Sequence, residues 1–327
     1  MQTQPRDLSV EALSTALVAG WQTVAESIEY APVGFGTHHW FAVDRLGRRW
    51  FLTADAVGND PVRLAELRAA LCTAAALRRE AGLTFVGAPI PRRNGGLLEP
   101  VGCYAVAVYQ YLVEVPNHGD ESGSDGVVEL LAAPHAATPA VEQIAGIDDL
   151  VLPERWSLQP PGPINAELSA GPYAAPFCQL PVDHRETLAA ALRRYDRLAV
   201  SIAADRGDWV ITHGEPKANN IMITQDGPVL IDWDTARVAP PERDLWMTGA
   251  HQRYFALTGR RIRPDRLDFF RLCWELADLA SFGSWLRQPH RATPDTERAW
   301  NGAVEICARL ADGKPGPPWS HHGDHFG

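Results

Sequence analysis

The chain has 327 residues, of which 46% are hydrophobic and 21% are charged, and its formal net charge is −10. This length allows two domains, each with a core of its own. The acidic balance argues against nucleic-acid binding, which depends on basic patches. No apolar run approaches the ~18 residues that span a membrane, and the first residues do not resemble a secretion signal.

Two helices and five strands are predicted in the first 112 residues. Residues 8–20 form an amphipathic first helix that ends at Gly20, and strand-like runs follow at 26–33, 37–44 and 48–54. Asp60 and Pro61 open a second helix, whose apolar residues recur at helical spacing and which stops at Gly82. Runs at 97–101 and 104–112 complete a five-stranded antiparallel sheet.

The rest of the chain is predicted to be mainly helical. Residues 114–125 are polar and rich in turn formers, which indicates a connection to a second domain. We therefore predict an N-terminal domain over residues 1–113 and a C-terminal domain over residues 114–327. Residues 152–183 carry many Pro, Gly and Ala, which favours a long irregular insertion. Helices are predicted to begin near residue 127 and to cover residues 185–204, 243–258, 264–287 and 294–311.

The cysteines do not form a recognisable pattern. They are odd in number and scattered, which favours small buried residues over disulfides or metal ligands and fits a reducing cytoplasm. The five are Cys72, Cys103, Cys178, Cys273 and Cys307.

The most informative segment is residues 209–238, WVITHGEPKANNIMITQDGPVLIDWDTARV. An apolar strand leads into a polar loop, a short hairpin follows, and its second strand ends at Asp232. This layout brings two carboxylates, an ammonium and an amide to one edge of a small sheet. The four residues are Glu215, Lys217, Asn220 and Asp232. Such groups suit a magnesium-bound triphosphate held beside a hydroxyl.

The pattern HGE-x-K-x-x-N followed by IDWD resembles the aminoglycoside phosphotransferase and choline kinase family, which shares the fold of protein kinases. The resemblance extends from about residue 15 to about residue 310. It implies an α+β, bilobal fold, in which a five-stranded antiparallel sheet plus a helix forms the nucleotide-binding N-lobe. A mainly helical C-lobe would carry the catalytic loop and the acceptor-binding helices.

The resemblance also implies roles for the residues of this loop. Glu215 stands where the family has a catalytic Asp, so it would accept or orient the proton of the acceptor hydroxyl, with Lys217 near the transferred phosphate. Asn220 and Asp232 match the family's Mg²⁺ ligands. His213 would be a scaffold residue, and Asp244 would fix the segment after the metal site together with Asp234.

Nucleotide-binding residues are expected in the N-lobe. Gly34 and Gly36 stand where the phosphate-covering loop belongs, and glycine lets the backbone approach a phosphate closely. Gln110 and Leu112 lie in the predicted hinge, whose backbone would bind the base. Thr53 aligns with the lysine that grips the phosphates in related kinases.

Thr53 is therefore a departure from the family pattern, and no realignment supplies a lysine, because Lys217 and Lys314 are the only two in the chain. Three explanations stand open. Lys217 carries more of the phosphate charge, an arginine such as Arg48 or Arg49 substitutes, or the protein binds nucleotide weakly and catalyses little.

Acceptor binding is predicted from one helix and one further acid. Trp274, Glu275 and Asp278 share a helix in the region that lines the acceptor pocket in related kinases, and Asp234 is the additional candidate. A helix that buries its tryptophans against a core, with acids on its rim, accounts for the pattern equally well.

The function predicted from these observations is a small-molecule kinase that is monomeric or dimeric and cytoplasmic. With Mg²⁺, it would transfer the γ-phosphate of ATP or GTP to a hydroxyl of a small cationic acceptor, such as an aminoglycoside or aminocyclitol, and the family name suggests antibiotic resistance. Its partners would be the nucleotide and the acceptor, without nucleic acid or membrane. The alternatives are a nucleotide-binding pseudokinase, a kinase of a sugar, amino alcohol or amino acid, and a nucleotidyl transferase.

Overall fold

The computed structural model describes residues 1–115, 124–160 and 170–313. The chain forms two compact units. Unit 1 comprises Met1–Asp148 and Trp209–Arg261, and unit 2 comprises Asp149–Asp208 and the described residues from Ile262 onward. The domain boundary predicted between residues 113 and 114 stays a prediction, and most of the predicted 114–125 connection lies outside the described residues.

A five-stranded antiparallel sheet opens unit 1, as predicted. Its strands are β1 (Ala25–Ala31), β2 (His38–Asp44), β3 (Arg49–Ala56), β4 (Glu99–Val101) and β5 (Tyr104–Gln110). They lie in the order β1-β2-β3-β5-β4, and every neighbouring pair is antiparallel. In β3 the alternation of side chains buries Leu52 and Ala54 on one face. Thr53 and Asp55 therefore share the other face.

Helices cover both faces of this sheet. Helix α1 (Val10–Trp21) packs Leu13 and Leu17 into a cluster with Trp40 and Leu52. Helix α2 (Pro61–Arg79) packs Leu71 into a second cluster that contains strand residues from the opposite face of β5. Burial of these side chains, at about 1.5–3 kcal/mol each, holds the two helices on the sheet.

Helix ends follow local sequence signals, with one difference from the prediction. The side chain of Asp60 accepts hydrogen bonds from the amides of Val62 and Arg63, which confirms the predicted start of α2. Helix α1 passes the predicted stop at Gly20 and ends at Trp21, where Gln22 takes the left-handed conformation with φ 54°. The prediction was wrong here because a residue other than glycine caps the helix.

The rest of unit 1 contains two small sheets and several helices in its described residues. Its elements are α3 (Ser124–Ala136), α4 (Thr138–Val141), β6 (Gly146–Ile147), β7 (Val210–Thr212), β8 (Ile221–Thr224), β9 (Gly227–Leu230), β10 (Arg237–Ala239), α7 (Glu242–Leu245) and α8 (His251–Thr258). Strands β6, β10 and β7 form one sheet, and β8 and β9 form a hairpin. The single helix predicted over 243–258 is two helices, because Gly249 between them has a φ of 69°.

Unit 2 is helical in its described residues. Its helices are α5 (Ala174–Asp183), α6 (Arg185–Ala203), α9 (Pro264–Leu286) and α10 (Pro294–Asp312), with a 3-10 turn at Arg155–Leu158. The predicted irregular insertion at 152–183 was wrong for α5, and its residues 161–169 lie outside the described part. Helix α5 forms despite two prolines because Pro176 lies in its first turn, where no intrahelical N–H is needed, and Pro181 lies near its end.

The cysteines are unpaired in disulfides, and the helices lack a membrane-spanning segment, in the part of the chain that the structure describes. None of the five cysteines, all of which lie in the described residues, forms a disulfide, and Cys178 and Cys307 are buried. Among the helices of residues 1–115, 124–160 and 170–313, none is long and apolar enough to cross a membrane.

Candidate active site

Strand β7, the loop after it and the β8–β9 hairpin build the candidate site, as the sequence predicted. The loop closes as a 3-10 turn at Ala218–Asn220, in which the amide of Asn220 donates to the carbonyl of Lys217 at 2.9 Å. The amide of Ile231 then donates to the carbonyl of Asn220 at 2.8 Å, which ties the end of the hairpin to the loop. The backbone thus brings the loop and Asp232 together.

Glu215 and Lys217 form an ion pair within the loop. The Nζ of Lys217 lies 2.9 Å from Oε2 of Glu215, and both side chains are partly buried, with 23% and 29% exposure. This contact places an ammonium beside the carboxylate that the sequence assigned to the acceptor hydroxyl. The loop therefore presents a carboxylate and an ammonium side by side.

Asn220 and Asp232 approach each other directly. The amide nitrogen of Asn220 donates to the backbone carbonyl of Glu215 at 2.9 Å and lies 3.5 Å from Oδ2 of Asp232. Because the nitrogen is used in this way, the side-chain oxygen of Asn220 is the atom left for a cation. The pair offers the hard oxygen donors that Mg²⁺ prefers.

Asp232 has a left-handed backbone conformation. Its φ is 69°, in a region that Gly, Asn and Asp adopt much more readily than other residues. Asp is therefore one of the few residue types that suit this position at the end of the hairpin.

Electrostatics favour a cation at this position. Asp232 is partly open to solvent, but the surrounding protein atoms still remove much of its hydration. This desolvation, together with the charge of Glu215, raises the pKa of Asp232 to about 6. Desolvation and the carboxylates of Asp232 and Asp55 also raise the pKa of Asp234 well above its ordinary value. A bound cation would relieve this repulsion.

The residues present fit a Mg²⁺ ion held jointly by protein and phosphate. Among the described residues, no group of three or more His, Cys, Asp or Glu side chains is arranged to hold a metal ion by itself. A pair of protein ligands is sufficient where substrate phosphates and water complete the octahedron, which is the usual arrangement for Mg²⁺. The donor set of Asn220 and Asp232 meets this requirement.

His213 connects the loop after β7 to the end of the β8–β9 hairpin. Its Nε2 donates to the carbonyl of Ile231 at 2.8 Å, and its Nδ1 accepts from the amide of Glu215 at 3.1 Å. Its ring also packs edge-on against Trp233, with centroids 4.7 Å apart. Burial lowers the pKa of His213, so the ring stays neutral with both nitrogens committed. The prediction of a scaffold role is confirmed.

Asp244 anchors the start of the loop that follows β7. Its carboxylate is fully buried and accepts from the amides of His213 at 2.9 Å and Gly214 at 2.6 Å. The Nε2 of His135 donates to it at 3.0 Å, and the hydroxyl of Tyr254 donates to Nδ1 of that histidine at 2.7 Å. We expected Asp244 to fix the segment after the metal site. It fixes the segment before the proposed base instead.

Arg243, the residue before Asp244, also holds the segments on either end of this loop in place. Its guanidinium donates to Oγ1 of Thr212 at 2.9 Å and to the carbonyl of Thr235 at 3.1 Å. The hydroxyl of Thr235 donates to the carbonyl of His213 at 2.8 Å. Sequence reasoning missed Arg243 and His135, because only their position in the fold brings them to the loop.

The β3 face carries an acid that the sequence did not single out. Asp55 shares a strand face with Thr53, and its Oδ1 accepts from the hydroxyl of Thr37 at 3.0 Å. Desolvation raises the pKa of Asp55 to about 6. On the neighbouring strand, burial raises the pKa of Tyr109, and Asp55, Asp234 and Asp232 raise it further. The alternation of buried and less buried side chains along β3 could have indicated from the sequence that Asp55 shares the face of Thr53.

The other predicted nucleotide residues lie at two places in unit 1. Gly34 and Gly36 occupy the β1–β2 connection with φ values of 66° and 95°, so both positions need glycine. Gln110 ends β5 and pairs with Trp50, and Leu112 lies in the segment that follows. Their contact with nucleotide stays a prediction.

The predicted acceptor residues are divided between the units. Asp234 belongs to unit 1, while Trp274, Glu275 and Asp278 lie on α9 in unit 2. Oε1 of Glu275 accepts from Nε of Arg309 at 3.1 Å, and the Glu275 side chain is only 8% exposed. This contact joins α9 to α10, and the acceptor role of these residues stays a proposal.

Comparisons with known proteins show the family of this chain. Residues 33–282 match the Phosphotransferase enzyme family (APH), to which the chain therefore belongs. Protein StrN of Streptomyces griseus is 32% identical over 235 residues, which make up 68% of this chain and 72% of that protein. The resemblance to aminoglycoside phosphotransferases is confirmed, and the protein is a phosphotransferase.

Solved structures support the fold. Spectinomycin phosphotransferase APH(9)-Ia, in complex with ADP and spectinomycin, is similar over 94% of this chain and 99% of its own, with a TM-score of 0.63 and 15% identity. Amicoumacin kinase hAmiN, in complex with AMP-PNP, Ca²⁺ and Ami, is similar over 96% of both chains, with a TM-score of 0.55 and 11% identity. The predicted α+β, protein-kinase-like fold is confirmed.

Proposed function

We propose that the protein transfers the γ-phosphate of ATP or GTP to a hydroxyl of a small, cationic acceptor such as an aminoglycoside or aminocyclitol. The observation that carries this proposal is the joint placement of Glu215, Asn220 and Asp232 by His213. A base and two oxygen ligands on one rigid frame are what phosphoryl transfer needs, since positioning and charge neutralisation supply most of its catalysis.

Each residue of the frame has a role in the proposed reaction. The side-chain oxygens of Asn220 and Asp232 would hold Mg²⁺, which neutralises phosphate charge when bound. Glu215 orients the acceptor hydroxyl and takes its proton as the new O–P bond forms and the bond to the leaving ADP (or GDP) breaks. Lys217, beside Glu215, stabilises the negative charge on the transferred phosphoryl group.

A cationic acceptor is supported by charge. The chain has a net charge of −10, and Asp55, Glu215, Asp232 and Asp234 act on one another electrostatically in the site. An acceptor with amino groups would be attracted by this field. The similarity to a phosphotransferase solved with spectinomycin supports the same class. The five cysteines, none of which forms a disulfide in the described structure, fit a reducing compartment, so we place the reaction in the cytoplasm.

A second candidate function is a nucleotide-binding pseudokinase. Thr53 favours it, because this residue offers a hydroxyl where related kinases have a lysine. The two candidates differ in turnover. A pseudokinase would bind nucleotide without releasing ADP in the presence of any acceptor.

The test is ADP or GDP release with ATP or GTP and a panel of acceptors: spectinomycin, other amino-bearing cyclitols, choline, amino alcohols and neutral sugars. We expect turnover with an amino-bearing acceptor, and a fall in kcat of about 100-fold or more for Glu215→Ala. Glu305→Ala, which removes an acid with 62% side-chain exposure, is the matched control and should keep full activity. Full activity in Glu215→Ala would refute the assignment of the base.

A further inference from the structure

Strand β9, which leads to Asp232, is paired on both of its edges. One edge pairs with β8 in the hairpin. On the other edge, Val86 in the segment after α2 forms a parallel bridge with Leu230. The amide of Leu230 donates to the carbonyl of Phe85 at 2.8 Å, and the amide of Gly87 donates to the carbonyl of Leu230 at 2.8 Å. The segment after α2 therefore extends the hairpin by one short backbone pairing.

This pairing is close, and it lies two residues before the proposed metal ligand. A Cβ on Gly87 would lie 3.0 Å from the carbonyl oxygen of Leu230 and 3.1 Å from Cγ2 of Ile231. The indole N–H of Trp233 also donates to the carbonyl of Leu230, at 2.8 Å. Asp232 lies between Ile231 and Trp233, so a shift of the segment after α2 would move the backbone that carries its carboxylate.

Arg78, in the last turn of α2, holds this segment. Its Nη1 donates to the carbonyl of Val86 at 2.8 Å and also to the carbonyl of Thr84. Hydrogen bonds from a charged donor are stronger than those between neutral groups. One cationic nitrogen therefore joins two carbonyls and ties Val86, the residue that pairs with Leu230, to the end of the helix.

We propose that Arg78 is a positioning residue for Asp232. It fixes the segment after α2 against β9, and this contact keeps the Asp232 carboxylate where it would bind Mg²⁺. Arg78 acts through Val86 and Leu230 rather than by contact with a substrate. This inference rests on the proposed function, because it presumes that Asp232 binds the Mg²⁺ of a nucleotide.

The test measures AMP-PNP binding by titration calorimetry with Mg²⁺ and again with EDTA. Arg78→Met keeps the aliphatic part of the side chain and removes both hydrogen bonds. It should reduce the gain in affinity that Mg²⁺ provides by about fivefold, with binding in EDTA unchanged. Arg78→Lys should recover most of that gain, because a single ammonium nitrogen carries three N–H donors and can serve both carbonyls.

Arg79→Met is the matched control. Arg79 is the next residue of the same helix, and it pairs with the exposed Glu80 at 2.7 Å. Its replacement leaves the contacts of Arg78 in place. This variant should bind AMP-PNP as the parent does, both with Mg²⁺ and with EDTA.

Three results would overturn the proposal. Arg78→Met keeps the full gain from Mg²⁺, or it loses as much affinity in EDTA as with Mg²⁺, or Arg79→Met shows the same loss. If circular dichroism shows that Arg78→Met does not fold, Arg78→Gln, which keeps an amide donor, replaces it with the same expected direction. Failure of the parent to bind AMP-PNP, or binding without any gain from Mg²⁺, would overturn the proposed function instead, and this inference with it.

Discussion

Removal of the buried carboxylate of Asp244 should lower the free energy of unfolding strongly. This carboxylate accepts two backbone amides and one imidazole N–H at 2.6–3.0 Å, and the side chain is fully buried. Each hydrogen bond to a charged group contributes about 1.5–3 kcal/mol, and the three share one acceptor and do not simply add. Asp244→Ala leaves all three donors buried without an acceptor. We therefore expect a loss of about 3–5 kcal/mol in the free energy of unfolding.

The assay is urea denaturation followed by tryptophan fluorescence, to which Trp233 beside His213 contributes. Asp244→Asn should lose less than Asp244→Ala, because the amide keeps the shape and one acceptor oxygen. Asp196→Ala is the control. Its carboxylate pairs with Arg155 at the surface, where such pairs contribute about 1 kcal/mol or less. If Asp244→Ala were no less stable than Asp196→Ala, the anchoring role would be wrong.

Two further predictions concern β3 and the hairpin. Asp55→Asn should stabilise the nucleotide-free protein by about 1 kcal/mol more at pH 8 than at pH 5, with the exposed Asp226→Asn as control. Desolvation raises the pKa of Asp55 from 3.8 to about 6 in the fold, so the stability of the parent falls as pH rises through that value. An equal gain in stability at both pH values would contradict this reasoning. Gly87→Ala should weaken Mg²⁺-dependent AMP-PNP binding several-fold, because its Cβ would lie 3.0 Å from the carbonyl of Leu230, just before Asp232. Gly146→Ala, which meets nothing within 4 Å, should be neutral, and equal effects in the two variants would refute this reasoning.

The parts of the site that could be predicted from the sequence are formed by residues that lie close together along the chain. Glu215, Lys217 and Asn220 lie on one loop, and the hairpin returns the chain to Asp232 only twelve residues after Asn220. Strand ends and turns of this kind follow from nearby residues. The same holds for the start of α2, where Asp60 caps the helix.

The parts that the sequence did not predict depend on contacts between distant residues. His135 reaches Asp244 across 109 positions, and only the packed fold shows that contact. Asp55 belongs to the candidate site only because β3 pairs with β2 and β5, which sets the face of the sheet that its side chain occupies. Helix α5 was missed because its alanines and prolines hide the helical period, although Phe177 and Cys178 are buried.

The most direct measurement is the position of a divalent ion in crystals of the protein grown with Mn²⁺ and AMP-PNP. Anomalous scattering locates Mn²⁺ without reference to the protein coordinates. We predict a peak within coordination distance of the side-chain oxygens of Asn220 and Asp232, between them and the phosphates of the nucleotide. Nucleotide bound with its Mn²⁺ peak away from both residues would contradict the proposed site.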